Sequence, residues 1–301
     1  MVEWLAMQEI LVPHKDNFTP PERTPWGGRL IVSRYKAALG IAYDQIVGES
    51  WEISTHPSFP SRFKEPVESL PFLVKLLNSA SNLSVQVHPK KGPTAKTEAW
   101  VILDAQPGAG LYLGLQEGVT QQQFELGMAS GADLSPLLNF VEVGAGDVFF
   151  VPSGTLHAIG GGILLLEVQQ PSDVTYRAYD WGRGRPLHLK EVSQATSWGQ
   201  LRGKALVETL RRGGRDLVNC PEFHLRRLQL GEHKDNTHAT GVQGCFVAEG
   251  LVEVSIQGRN QRFSQGESFI ITPSAGAFEL HGAPLALVFQ VFSTQAASCC
   301  L

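Results

Sequence analysis

The segment LSVQVHPKK, residues 83–91, sets Ser84, Gln86 and His88 two positions apart. Side chains on an extended strand alternate faces, so these three polar groups share one face and Val85 and Val87 the other. If the polar face met solvent, nothing about Gln86 and His88 would be special. For this segment alone that plain reading outweighs a ligand pair. Further on, Glu98 heads an apolar run, with Lys96 on its face by the same alternation. A lone Glu at a strand start is ordinarily a solvated carboxylate. His157 follows a turn of Pro152, Ser153 and Gly154 and precedes three glycines, which let backbone approach closely. A single His in such a place is more often structural than metal-bound.

Taken together the four carry more weight. Two His, one Glu and one Gln form an N/O donor set suited to Zn²⁺ or a similar divalent ion, with room for water or substrate. No thiolate competes, because all four cysteines (Cys220, Cys245, Cys299 and Cys300) lie far along the chain. Strands of one small barrel bring their inward faces together, so sequence separation is no barrier. Glu167 adds an acid inside the apolar strand ILLLEVQQ, where an unpaired charge is costly. Burial would raise its pKa toward the range of a general base, while a carboxylate paired with Arg or backbone is an equal rival. Arg177, between Tyr176 and Tyr179, needs an anion or ring faces if buried, and a structural Arg–Glu pair competes there too.

The elements that must position these groups read as short strands. Runs at 29–33, 50–54, 83–88, 99–103, 148–151, 163–169 and 175–179 are β-branched or apolar, and turn residues fill most gaps. The 31 Gly and 18 Pro are scattered, which fits a sandwich or closed barrel rather than alternating βαβ units. A helix is predicted over 116–129 with Thr120 as N-cap, and another within the less apolar connector 186–212. The strand signal then resumes at 222–230, 244–248, 250–257, 261–263, 268–272, 277–280 and 285–292. Residues 141–159 and 261–280 share one order: Gly, acid, apolar run, Pro, Ser, turn, strand. That fits two copies of one barrel module. Opposite His157 the second copy offers Phe278 or a neighbour, so the second barrel is expected to lack metal chemistry.

Composition narrows the partners. A net charge of −4 gives no bulk attraction to nucleic acid or anionic membrane, so any bound phosphate must be caught by a few local cations. No stretch approaches the roughly 20 apolar residues of a membrane span. No cysteine pair has Cys-x-x-Cys spacing, and Ser298 stands where a prenylation signal needs Cys. A cytoplasmic protein with free thiols is expected.

The strings WGG, GESWEIS-x-HP, PFLVKLLNSASNLSVQVHPKK, KTEAW, VPSGTLHAI and LLEVQQPSDVTYRAYDWGR resemble type I mannose-6-phosphate isomerases of the short bacterial form, within the cupin superfamily. The likeness is strong over residues 26–183. It implies a mainly β fold of two cupin-like jelly-roll barrels. Residues 1–185 would form the metal-binding catalytic domain, with a helical insertion about 116–138. Residues 186–215 would be a helical connector, and 216–301 a second barrel without a metal site. The resemblance further implies one Zn²⁺ per chain, other divalent metals being possible, held by Gln86, His88, Glu98 and His157. Arg177 and Glu167 would be catalytic, and Ser84, Lys75 and Lys96 would lie near a phosphosugar or its phosphate. The stretch between His88 and Glu98 is shorter than in most members. The implied reaction is aldose–ketose isomerisation of mannose 6-phosphate and fructose 6-phosphate through an enediol or enediolate. A cupin dioxygenase and a non-catalytic sugar-binding cupin are the rival classes.

Overall fold

The computed structural model of the chain describes residues 8–64, 67, 69–199, 202–231, 234–239 and 241–293. The adjacent Cys299 and Cys300 lie outside the described residues.

Among the described residues four antiparallel sheets account for the strands. In the first half a six-stranded sheet runs Arg211–Arg212, Val148–Val151, Glu98–Ala105, Ile163–Gln169, Leu73–Ser79, Glu49–Ile53. Facing it is a five-stranded sheet, Tyr176–Tyr179, Val85–Val87, His157–Ile159, Gly110–Leu115, Leu138–Glu142. The strands Leu73–Ser79 and Ile163–Gln169 are buried at every position. That is why they read as near-continuous apolar runs rather than alternating ones.

Alternation nevertheless governs what each face meets. Val74, Leu76, Val101, Leu164 and Leu166 join Phe246, Ile270, Phe289 and Val291 of the second half in one apolar cluster. The first sheet therefore packs its outer face against the second half. On its inner face, Leu77, Ile102, Ile163 and Leu165 join Leu111, Leu113 and Ile159 of the facing sheet. The next inward positions toward the other end are Lys75, Trp100, Glu98, Glu167 and Gln169, all buried. One barrel thus has an apolar end and a polar end, and the polar end holds the candidate chemistry.

In the second half, a six-stranded sheet runs Ile10–Leu11, Ser268–Ile271, Gln243–Glu249, Leu287–Phe292, His224–Gln229, Asp216–Asn219. Its partner sheet is Lys234–His238, Ala277–Gly282, Leu251–Ile256, Arg259–Ser264. The two halves exchange backbone: Ile10–Leu11 pairs with Ser268–Ile271, and Arg211–Arg212 with Val148–Val151. Between the halves, the Lys36 ammonium donates to Glu52 Oε2 and to Gly266 O, each at 2.8 Å. Ser50 and Ser268 hydroxyls complete the carboxylate's bonds, so this buried pair is satisfied. Gly266 has φ +85°, and a Cβ there would fall 2.3 Å from Tyr35 O, so glycine is required.

The repeat seen in the sequence has a counterpart in register. Val151 pairs with Glu98 in the first half, and Ile271 with Gln243 in the second. Two residues along those strands, Trp100 pairs with Glu167 and Cys245 with Gln290. Gln243 and Gln290 therefore occupy the places of Glu98 and Glu167, and Gln290 Nε2 donates to Gln243 Oε1 at 2.7 Å. Phe278, at the place of His157, is buried in the second half's apolar cluster.

Three expectations change. Residues 29–33 are not a strand: Leu30 begins a helical segment that continues through Val32–Lys36 and Ala37–Leu39. The β-branched residues misled, because Ile31, Val32, Tyr35 and Lys36 recur at helical spacing and are all buried. The predicted insertion helix starts later, at Gln121–Ser130, where Thr120 forms a capping box with Gln123. The connector holds two short helices, Leu189–Ala195 and Gly203–Leu210. Among the described residues no helix is long and apolar enough to cross a membrane.

Candidate metal centre and its cavity

Strand register brings the four expected ligands together. Gln86 is the cross-strand partner of His157 on one side and of Arg177 on the other. Glu98 enters from the facing sheet at the start of Glu98–Ala105, and His88 follows the end of Val85–Val87. Ligand atoms of His88, Glu98 and His157 all lie within 4.8 Å of one another. His88 Nε2 is 3.3 Å and His157 Nε2 3.2 Å from Glu98 Oε1. Gln86 Nε2 lies 3.2 Å from His157 Nε2, and Ser84 Oγ donates to Gln86 Oε1 at 3.0 Å.

The protonation of this cluster follows from its outer contacts. His88 Nδ1 is 2.9 Å from Val174 O, and His157 Nδ1 is 2.9 Å from Thr155 O. A carbonyl oxygen only accepts, so each Nδ1 carries the proton and each Nε2 presents a lone pair. Two imidazole lone pairs then face a carboxylate oxygen that has no hydrogen-bond partner. Burial holds both imidazoles below their ordinary pKa, His157 at about 4, so neither becomes the missing donor. Glu98 Oε1, buried between the two imidazole nitrogens and without a donor of its own, is the atom a bound cation would satisfy. The residues present fit a divalent ion bound by nitrogen and oxygen donors.

A second layer of charge surrounds the ligands. Lys96 Nζ donates to Glu98 Oε2 at 2.7 Å and lies 3.3 Å from His88 Nε2. Burial opposes ionisation of Glu98, but the Lys96 ammonium holds its carboxyl well below the usual range. Glu167 lies 3.3 Å from Lys75 and 3.8 Å from Lys96, and accepts from Trp100 Nε1 at 3.2 Å. Burial outweighs these lysines and raises the Glu167 carboxyl to about 7. Of the alternatives open for Glu167, the pairing with cations is realised, through lysine rather than arginine.

Beside this group opens a cavity of about 340 Å³, lined by Ser84, Gln86, Lys75, Lys96, Glu167 and Arg177, among others. Arg177 is half-buried, and its Nε has no hydrogen-bond partner. Its carboxylate rival is not seen: no Arg177–Glu ion pair occurs among the described residues. Sequence reasoning missed other wall residues: Arg23, Trp26, Glu49, Asp173 and Arg185. Arg23 pairs with Asp173 across the cavity wall. Arg185 is aimed by Asp180, which accepts its Nε at 2.8 Å. Trp100 was also missed, since a Trp in an apolar strand reads as core. Its value lies in the indole N–H, which only the fold turns toward Glu167.

A double β-barrel with a buried His/Glu/His cluster at the polar end of one barrel defines a cupin-type protein with a candidate metal centre. No family model matches the chain. The chain is 37% identical over 253 residues to a mannose-6-phosphate isomerase of Streptococcus mutans, covering 68% of this chain and 75% of that one. The crystal structure of the mannose 6-phosphate isomerase of Bacillus subtilis superposes with a TM-score of 0.78 at 25% identity, covering 94% of this chain and 98% of that one. A Salmonella typhimurium mannose 6-phosphate isomerase, bound to fructose 6-phosphate and zinc, shares the fold with a TM-score of 0.72 at 18% identity over 95% of this chain and 99% of that one. The chain belongs to the mannose-6-phosphate isomerase family.

Proposed function

We propose that this protein is a zinc-dependent aldose–ketose isomerase that interconverts mannose 6-phosphate and fructose 6-phosphate. One observation carries the reading: the metal-ready lone pairs of His88, Glu98 and His157 sit next to a cavity that also contains Glu167 and Arg177. The name shared by its relatives supports the substrate pair.

Isomerisation moves a proton between neighbouring carbons through an enediolate. Gln86, His88, Glu98 and His157 would hold zinc, which supplies Lewis-acid polarisation of the sugar's carbonyl. Glu167 takes the proton from one carbon and returns it to the other, its oxygens held by Lys75 and Trp100. The Arg177 guanidinium, with an uncommitted Nε, stabilises the negative charge that grows on oxygen and relays the hydroxyl proton from one oxygen to its neighbour. Lys75, Lys96 and Ser84 orient the phosphosugar, and the cavity's local cations attract a phosphate that the net charge of −4 would not.

The same reading assigns catalysis to residues 1–185, a connector to 186–215 and a metal-free barrel to 216–301. The amides Gln243 and Gln290 at the carboxylate positions support that division. It also assigns the enzyme to carbohydrate metabolism in the cytoplasm, a location supported by the free, buried thiols of Cys220 and Cys245.

A coupled assay following fructose 6-phosphate formation from mannose 6-phosphate tests the proposal. Turnover should vanish after chelation and return with zinc. Metal-independent turnover, or oxygen consumption in place of isomerisation, would overturn it.

A further inference from the structure

Four inward-facing residues stand directly opposite one another on four adjacent strands of the first sheet. Trp51 pairs with Lys75, Lys75 with Glu167, and Glu167 with Trp100. All four are buried, both indoles completely. The inner two form the ion pair at 3.3 Å. At one end Trp100 donates its N–H to Glu167 Oε1. At the other, the Lys75 ammonium lies 4.4 Å from the centre of the Trp51 ring. Trp51 is itself fixed, since its Nε1 donates to Glu49 Oε2 at 2.8 Å and Phe59 packs edge-on against it.

We infer that Trp51 is a positioning residue for isomerisation: its ring holds the Lys75 ammonium where that ammonium fixes Glu167. The physical need is specific. Lysine is a compact charge on a flexible stem with no preferred plane, so it sets a carboxylate's direction only if something else sets the lysine. The Lys75–Glu167 separation is too long for a tight hydrogen bond, so the carboxylate alone does not fix the ammonium. An indole face attracts a cation, and more strongly where water is excluded. Trp51 does not line the cavity; of the two cations over its ring, Arg23 at 5.1 Å and Lys75 at 4.4 Å, it is Lys75 that pairs with Glu167.

This inference rests on the isomerase reading, and one kinetic experiment separates the two. Turnover of the unmodified enzyme tests the reading; ratios among variants test the role of Trp51. Trp51→Leu should lower kcat about thirtyfold, the size of a desolvated cation–π contact, with KM changed less than about twofold. Trp51→Phe, which keeps a ring face but loses the bond to Glu49, should recover most of that loss. In a Lys75→Met background, Trp51→Leu should change kcat by less than about twofold, because the residue it acts through is gone. Equal factors in both backgrounds, a loss confined to KM, or Trp51→Phe as poor as Trp51→Leu would each refute the inference. Should Trp51→Leu not fold, Trp51→Met measured in both backgrounds completes the same cycle.

Discussion

Lys96 lies two residues before Glu98, which begins its strand, and the Lys96 ammonium binds Glu98 Oε2 at 2.7 Å while leaving Oε1 to the two imidazoles. The same ammonium lies 3.8 Å from Glu167 Oε1. Burial disfavours a charged lysine, but Glu167 and Glu98 overcome it and raise the Lys96 pKa. One buried cation thus divides the roles of two buried carboxylates. Glu98 is kept ionised and aimed at the candidate metal position, and Glu167 is left facing the cavity.

Because His88, Glu98 and His157 are buried and meet only in the folded chain, metal binding should stabilise the fold. Free zinc at about 100 times its Kd should add about 2.7 kcal/mol to unfolding. Thermal melts with a chelator and with graded zinc measure this. A melting temperature indifferent to zinc would exclude a resident metal in this cluster.

His157→Ala removes one of the two imidazoles facing Glu98 Oε1. The variant should lose bound zinc and turnover together while keeping its strands, because His157 lies on a short strand buried in the barrel. Metal analysis alongside circular dichroism checks this, and stoichiometric zinc in the variant refutes its assignment as a ligand.

Glu167→Gln keeps the shape and the bond to Trp100 but removes the group proposed as the base. Turnover should fall by about 10² to 10⁴, with zinc content unchanged. Steady-state kinetics on a metal-assayed sample decides it. Unchanged turnover would remove Glu167 from the role.

Asp180 accepts from Arg183 and Arg185, holding the latter at the cavity wall. Burial pulls its pKa up, yet the Arg185 and Arg183 contacts win and lower it. A carboxyl with a folded pKa below its unfolded one contributes stability above about pH 4, lost as pH falls through the folded value. Asp180→Asn should therefore be less stable than the unmodified protein at pH 7, with the gap closing below about pH 4. Urea unfolding at a series of pH values reads it directly.

Much of the site was legible in the chain because β-strands encode it with period two. Gln86 and His88, and Lys96 and Glu98, are each two apart, and Glu167 announced itself as an acid in an apolar run. The strand Leu73–Ser79, central to the sheet and carrying Lys75, gave no alternation because both its faces are covered. The segment after Arg29 failed for the opposite reason: its β-branched residues fit a helix whose buried face depends on packing between the halves.

The sequence by itself determined the mainly β architecture and offered the candidate donor set and the repeat of two modules, since these follow from residue type and short spacing. Tertiary structure alone decided which lone pairs meet, which carboxylate each lysine serves, and that Trp51, Lys75, Glu167 and Trp100 form one row. Those relationships join residues up to 116 positions apart (51 to 167), brought opposite one another by hydrogen-bond register between strands. Register is a property of pairs of strands, and no single stretch of chain contains it.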